Sequence, residues 1–178
     1  MKKAWILINI STKILKLSCI ISRYHESKGY RPGTEAAVVQ TPWAELGLSI
    51  CYDLRFAALH RALAQDGAQV LVVPSAFARP TGEAHWHVLL RARAIETGCF
   101  VIAAAQTGVH PGSGRKTFGH SLIIGPWGEV ILDAGSEIGL HFATLDLGDV
   151  DRARARVASL QHDRPFALKR YLSHDKID

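Results

Sequence analysis

The sequence predicts an α/β domain in which helices pack on a β-sheet. Two continuous apolar runs, 68–74 and 99–105, have the composition of strands that are buried on both faces. A helical segment precedes each run, and each helix is followed by a glycine, Gly67 or Gly98, which is typical of helix ends. Such β-α-β units, followed by shorter antiparallel strands, are the pattern of α/β domains.

The elements before residue 106 are expected in a simple order. Strands over 35–41 and 44–50 flank a turn at Pro42 and Trp43. Helices are expected over 54–66 and 83–97, because apolar residues recur there on one face. A loop over 75–82 separates the first buried strand from the second helix.

The remainder of the chain predicts smaller elements. A glycine-rich loop over 106–119 leads to two strands joined by the turn Pro-Trp-Gly. A further strand and a short basic helix are expected next, followed by an extended arm. The four elements after the loop are expected over 120–125, 129–133, 140–147 and 149–157.

Composition sets the class of protein. The chain of 178 residues is long enough for one domain with a sizeable core, and 48% hydrophobic and 21% charged residues are ordinary for a globular protein. Its net charge of +5 is mild, and the basic residues lie mainly in 91–94 and 152–156. No aromatic residues interleave with them, so we expect solvated helix faces and no nucleic-acid partner.

The cysteines indicate a reducing compartment. Cys19, Cys51 and Cys99 form an odd set without paired spacing, which argues against a secreted disulfide framework and favours the cytoplasm. The nine histidines are scattered, and the closest pair, His85 and His87, lies on either side of one residue. No spacing typical of metal ligands is present, and we expect no metal.

The N-terminus resembles a signal peptide only in part. It begins MKKAWILINI, but Thr12, Lys13 and Lys16 interrupt the apolar run, and no small-x-small cleavage site follows. The segment is too short and too charged for a membrane span, and we expect no membrane partner. An ordinary strand that starts the domain is the simpler interpretation.

Cys51 lies at the junction between a predicted strand and a predicted helix, in "GLSICYDLRF". At such a junction the backbone turns sharply, and the N–H groups that begin the helix point toward the same space as the side chain. These groups stabilise a thiolate and can form an oxyanion hole. The spacing alone favours the more common alternative, an inert core cysteine.

Six ordered motifs resemble the nitrilase, or carbon–nitrogen hydrolase, superfamily: "GLSICYDLRF", "VLVVPSAF", "TGEAHWHVLLRARAIE", "CFVIAAAQTG", "GHSLIIGPWGEV" and "HDRP". Within the superfamily they look most like the Nit branch, whose members include deaminated glutathione amidases. The resemblance runs from Arg23 to Pro165. It implies a partial four-layer α-β-β-α sandwich, with 1–22 as a non-matching segment and 23–178 as the C-terminal part of a carbon–nitrogen hydrolase domain.

The resemblance also implies a chemistry. Members hydrolyse small amides with a Glu–Lys–Cys set and a supporting second glutamate, without a cofactor. Cys51 matches the nucleophile, the amide of Tyr52 matches the donor to the oxyanion, and Glu26 matches the second glutamate. A solvated loop carboxylate is the alternative for Glu26.

The general-base glutamate and the catalytic lysine belong to an N-terminal half that this sequence does not match. Residues 1–25 contain no Asp or Glu, and the setting of Lys13 and Lys16 does not resemble the lysine motif. We therefore expect a truncated chain that is inactive or impaired as an amidase. A non-catalytic half-domain that works by association with another chain is the alternative.

Other residues are expected to support the site. Ser75, Ala76 and Phe77 follow a buried strand at its carboxyl end and are expected to line the pocket. Asp53 and Arg55 are expected to pair with each other or with Glu96 and so to fix the turn. His120 and Trp127 are assigned to packing and to the turn.

The expected assembly is a dimer. Family members commonly dimerise, and apolar strands that lack their partner layers are a liability that a subunit contact can cover. The second long helix and the C-terminal arm are the candidate contact surfaces.

Overall fold

The computed structural model describes residues 33–171, in which eight strands and three α-helices follow one another. The strands are β1 Ala37–Gln40, β2 Glu45–Leu48, β3 Val70–Val72, β4 Phe100–Ala103, β5 Thr107–Val109, β6 Lys116–Phe118, β7 Leu122–Ile124 and β8 Val130–Asp133. The helices are α1 Ala57–Gln65, α2 Arg79–Thr97 and α3 Gly148–Arg156, with 3₁₀ turns at Cys51–Arg55 and Ser159–Gln161.

One six-stranded sheet organises the fold, in the order β1-β2-β3-β4-β7-β8. The central strands β2, β3 and β4 are parallel, with Leu46 opposite Val70 and Val70 opposite Phe100. The outer strands β1, β7 and β8 are antiparallel to their neighbours. The predicted α/β class, with parallel strands from the two apolar runs, is confirmed.

Helices α1 and α2 cover one face of this sheet, and α3 packs against part of the other. Successive strand residues point to opposite faces, so Leu71 packs with Leu63 and Leu90 under α1 and α2. On the other face, Val70 packs with Val150 of α3. Burial of each such side chain contributes about 2 kcal/mol. The two apolar layers hold the strand ends in place, and the candidate site lies at those ends.

Both predicted long helices are present, but their first residues differ from the prediction. The chain forms the 3₁₀ turn at Cys51–Arg55 before α1 begins at Ala57, so this helix does not begin at residue 54. Helix α2 begins at Arg79, and Pro80 lies in its first turn, where a backbone N–H would have no hydrogen-bond partner within the helix. Gly98 ends α2 in the left-handed conformation, with φ 59°, as predicted.

Two other sequence predictions are wrong. The segment 106–119 is not only a loop, because β5 and β6 form an antiparallel hairpin within it. The segment 140–147 is irregular rather than a strand. Leu145 packs against the sheet face that α3 covers, whereas Leu140 and Phe142 are exposed. Among the described residues, this segment therefore packs across a face of the sheet and is not part of a strand.

Within residues 33–171, none of the helices combines the length and the apolar character needed to cross a bilayer.

Candidate active site

Cys51 lies just past the carboxyl end of β2, in a strained turn. Its φ of 47° is in the left-handed region, which is uncommon for a residue with a side chain. The Cys51 N–H donates to the carbonyl oxygen of Pro74 at 3.0 Å, which joins the turn to the end of β3. The thiol is only partly buried and is not in a disulfide.

A cavity of about 610 Å³ opens in front of this thiol. Because β2, β3 and β4 are parallel, their carboxyl ends meet at one edge of the sheet, where α/β proteins commonly bind ligands. Each strand contributes to the wall. The lining residues are Ile50, Cys51, Pro74, Ser75, Ala76, Ala104, Ala105, Gln106, Arg115 and Ser121.

Ser75 and Ala76 line this cavity, whereas Phe77 does not. Phe77 is 4% exposed and packs in the core with its ring centroid 5.0 Å from that of Trp86. The chain after β3 therefore turns inward at Phe77. Ala76 lines the cavity. Its carbonyl oxygen accepts a hydrogen bond from Arg115 Nη2 at 2.5 Å and so holds the guanidinium group of Arg115 at the cavity wall.

The turn after Cys51 is closed by Asp53, which is 1% exposed. Its Oδ2 atom accepts a hydrogen bond from the N–H of Ile50 at 3.0 Å, and its own N–H donates to the Ile50 carbonyl at 2.9 Å. Tyr52 lies in the first turn of the 3₁₀ helix, and within the described residues its N–H has no hydrogen-bond acceptor. This N–H is next to the thiol-bearing residue.

Arg55 and Glu96 have partners other than those expected from the sequence. The Arg55 guanidinium lies 5.3 Å from the ring centroids of both Tyr52 and Phe77, and its Nη1 is 3.4 Å from His85 Nδ1. Glu96, about three turns further along α2, pairs with another arginine.

That arginine is Arg93, which is 5% exposed. It donates to Glu96 at 2.5 Å and to the carbonyl oxygen of Leu54 at 3.0 Å. Glu96 therefore supports the turn through Arg93, because α2 places Arg93 beside Leu54 near the end of the 3₁₀ helix.

Glu26 lies outside the described residues, as do Cys19, Lys13 and Lys16. Its role at the site remains a prediction from the sequence.

A second polar cluster was missed in the sequence. His87 Nε2 donates to Asp133 Oδ2 at 2.9 Å, and His120 Nδ1 donates to Asp133 Oδ1 at 2.9 Å. Burial raises the pKa of Asp133, but hydrogen bonds from His87, the Gly135 N–H and His120 outweigh burial and lower it to about 2. The residues come from three different elements, so their spacing gave no signal.

The chain belongs to the carbon-nitrogen hydrolase family, which its residues 16–155 match. The deaminated glutathione amidase of Yersinia enterocolitica is 45% identical over 148 residues, which are 82% of this chain and 50% of that protein. The resemblance to the Nit branch is therefore confirmed. The chain spans about half the length, or somewhat less, of the curated relatives that it matches.

Solved structures agree on the fold. The crystal structure of the C. elegans NitFhit protein matches with a TM-score of 0.78 and 44% identity, over 84% of this chain and 38% of that one. A mutant of the amidase from Nesterenkonia sp. AN1 matches with a TM-score of 0.68 and 31% identity, over 84% of this chain and 52% of that one. In that amidase, the acetamide moiety of fluoroacetamide is covalently added to the active-site cysteine.

Proposed function

We propose that Cys51 is the nucleophile of a site that hydrolyses a small amide through a thioester. Its sulfur attacks the amide carbonyl carbon, the C–N bond breaks, and the nitrogen leaves as ammonia or an amine with a proton. Water then attacks the thioester, which releases the carboxylic acid and restores the thiol. No cofactor takes part in either step.

The observation that carries this proposal is the position of the thiol. Cys51 lies in a left-handed turn at the carboxyl ends of parallel strands and faces the cavity. The neighbouring N–H of Tyr52 is a donor for the oxyanion that forms when the carbonyl is attacked. A sharp strand-to-helix turn of this kind holds a nucleophile clear of the sheet.

Glu26 is assigned as the supporting carboxylate on the basis of the family motif alone. For the substrate we favour a small ω-amide of a dicarboxylic or α-keto acid, because deaminated glutathione amidases are among the relatives. Ser75 and Ala76 would contact it, since both line the cavity.

We expect the chain of 178 residues to be impaired when it acts alone. Residues 1–25 contain no Asp or Glu that can take the place of the family's general base. Catalytic groups that act together lose most of the rate enhancement when one is absent. The chain is therefore expected to turn over slowly, because both the attack of the thiol and the attack of water lack a base.

The experiment separates the reactivity of the thiol from turnover: fluoroacetamide alkylates a reactive thiol, forming an S–C bond and releasing fluoride, whereas small ω-amides report hydrolysis. Purified protein is incubated with fluoroacetamide and, separately, with small ω-amides, and the intact mass and the release of ammonia are followed. We expect a covalent adduct on Cys51 that is absent in Cys51→Ala, with little ammonia. Cys99→Ala is the matched control and should be labelled as the wild type is. Labelling that persists in Cys51→Ala contradicts the assignment, and rapid turnover contradicts the expected impairment.

A second candidate function is a non-catalytic half-domain that associates with another chain. The observation in its favour is a row of exposed apolar side chains between β8 and α3, where Ile138, Leu140 and Phe142 are 93%, 78% and 62% exposed. Adding a polypeptide that carries the N-terminal half of a Nit relative tests it. Association without amidase activity supports this function, activity that appears only in the mixture shows instead that the chain supplies Cys51 to a shared active site, and a mixture without association excludes it.

We also propose a dimer in a reducing compartment, the cytoplasm. Helix α2 exposes Val88 and Ile95, and the C-terminal arm exposes Phe166 and Leu168. Light scattering on the wild type and on Val88→Glu tests the contact, and a monomer at all concentrations contradicts it.

Both cysteines within the described residues are free thiols, which supports the proposed reducing compartment.

A further inference from the structure

The cluster of His87, His120 and Asp133 combines three side chains that bind metals well. One imidazole nitrogen from each histidine and one carboxylate oxygen all lie within 4.8 Å of one another. His87 comes from the middle of α2, His120 from the turn before β7, and Asp133 from the last position of β8. The cluster lies outside the cavity at Cys51, whose lining includes none of the three.

The backbone holds His120 in place. Its φ of 56° is in the left-handed region, and this strain is maintained by bonds on both sides of the residue. The His120 N–H donates to the Gly135 carbonyl at 2.6 Å, and its carbonyl accepts from Trp86 Nε1 at 2.8 Å. The imidazole stacks on Phe118 with 4.3 Å between ring centroids.

Asp133 and His87 are also oriented by neighbours. The Gly135 N–H donates to Asp133 Oδ1 at 2.9 Å, so this carboxylate keeps one orientation. The His87 ring meets the His120 ring edge-on, with 5.2 Å between centroids. A site whose donors are held by surrounding groups binds a metal at a lower cost in conformational entropy than mobile side chains do.

We propose that His87, His120 and Asp133 form a binding site for one divalent transition metal ion of the zinc class. Two imidazoles and one carboxylate are a donor set that suits zinc and its neighbours, and they do not suit magnesium, which prefers oxygen. The side chains are 34%, 30% and 33% exposed, so an ion can reach them and keep a water molecule as a further ligand.

Metal binding replaces the two hydrogen bonds that His87 and His120 donate to the Asp133 carboxylate. His87 then presents the lone pair of Nε2, and its proton lies on Nδ1; His120 presents Nδ1, and its proton lies on Nε2. Ligand atoms on a zinc ion with bonds of 2.0–2.1 Å lie roughly 3.4 Å apart. The distances from His87 and His120 to Asp133 Oδ2, now 2.9 and 3.1 Å, need to open by less than about 1 Å, and no pair needs to close by more than about 1.4 Å from the upper limit of 4.8 Å.

In the test, the tag-free full-length protein is treated with a chelator to remove metal and is then titrated with zinc in a calorimeter. We expect one zinc ion per chain, with a dissociation constant in the micromolar range or tighter, and no saturable binding of magnesium. His87→Gln and Asp133→Asn should each weaken zinc binding by about 100-fold, since loss of even an outer-shell partner costs roughly 10- to 100-fold. His162→Gln, at an exposed histidine outside the cluster, is the matched control and should bind as the wild type does.

Two further measurements keep the result clear. Circular dichroism shows whether each variant is folded. Both substitutions, Asp133→Asn and His87→Gln, alter partly exposed side chains, and the two residues lie on different elements. With Co²⁺ in place of zinc, the absorption spectrum should lack the charge-transfer band of a thiolate ligand, which distinguishes this site from binding at Cys51. Absence of saturable zinc binding, or binding that both variants leave unchanged, overturns the proposal.

Discussion

The Cys51 N–H and the Pro74 carbonyl oxygen are joined by a hydrogen bond of 3.0 Å between the ends of two parallel strands. This bond fixes the strained turn at Cys51 relative to Ser75, the next residue of the cavity wall. The thiol thus faces solvent from a rigid sheet edge. Cys99, in contrast, is 0% exposed, and its sulfur lies 3.2 Å from the Ala68 carbonyl.

The two thiols should therefore differ in reactivity. We expect iodoacetamide to modify Cys51 in the folded protein at least about 100-fold faster than Cys99, which can react only when the fold opens. Burial also raises the pKa of the Cys99 thiol, which lowers the fraction of reactive thiolate. Peptide mass mapping over time measures both rates. Denatured protein is the control, in which the two rates should converge; equal rates in the folded protein would contradict the placement of Cys51.

Asp53 should matter for the stability of the turn that bears the thiol. Asp53→Ala removes the acceptor at 3.0 Å from the Ile50 N–H and leaves that group unsatisfied in a partly buried place. We expect the free energy of unfolding to fall by about 1–3 kcal/mol. Asp53→Asn keeps an oxygen of the same reach and is expected to lose less. Urea denaturation checks this, and an Ala variant as stable as the wild type would count against the proposed support.

The central sheet could be predicted because its signals are local. An uninterrupted apolar run such as 68–74 has few alternatives to a buried strand, and β3 is buried along its whole length. The segment 140–147 has a similar composition, but what it packs against depends on tertiary structure. Leu145 packs against a face of the sheet. No local pattern in the sequence distinguishes a segment that packs there from a strand that pairs at the edge of the sheet.

The candidate site, like the sheet, could be predicted only where its signals are local in the sequence. The position of Cys51 in a turn between a strand and a helix could be predicted because this junction is visible in the sequence, whereas its role as a nucleophile rests on the family resemblance. Phe77 was assigned to the pocket by its place after β3, but the side chain turned into the core. The cluster at Asp133 could not be found, because His87 and His120 lie 46 and 13 residues from it along the chain. Only the packing of α2 against β6 and the neighbouring β7 brings them together.

Gly82 in α2 should resist replacement by alanine. In an exposed helix, alanine in place of glycine adds up to about 1 kcal/mol of stability. At Gly82 an added Cβ would overlap the Phe118 side chain, since α2 crosses β6 closely there. Overpacking costs roughly 1–3 kcal/mol, so we expect Gly82→Ala to lower the free energy of unfolding despite the helix propensity.

Ala84→Gly provides the control for this prediction. Ala84 is exposed on the same helix, and its replacement should cost about 1 kcal/mol through propensity alone. Thermal and urea unfolding of both variants measure the two effects. A Gly82→Ala variant that is more stable than the wild type would show that α2 and Phe118 do not approach as closely as described.

His60 should make the protein less stable in mild acid. The side chain is 0% exposed, Nδ1 donates to the Phe56 carbonyl at 3.0 Å, and Nε2 has no hydrogen-bond partner among the described residues. Burial lowers the pKa of His60 below 6.5, and the charge of Arg93 lowers it further. Below about pH 6.5 the unfolded chain therefore binds a proton that the folded chain does not, and stability falls with pH by up to about 1.4 kcal/mol per unit until the folded-state pKa is reached. His60→Asn keeps a donor for the Phe56 carbonyl but cannot titrate. Urea unfolding between neutral and mildly acidic pH should show a smaller loss of stability in this variant than in the wild type, and parallel curves would contradict a neutral buried His60.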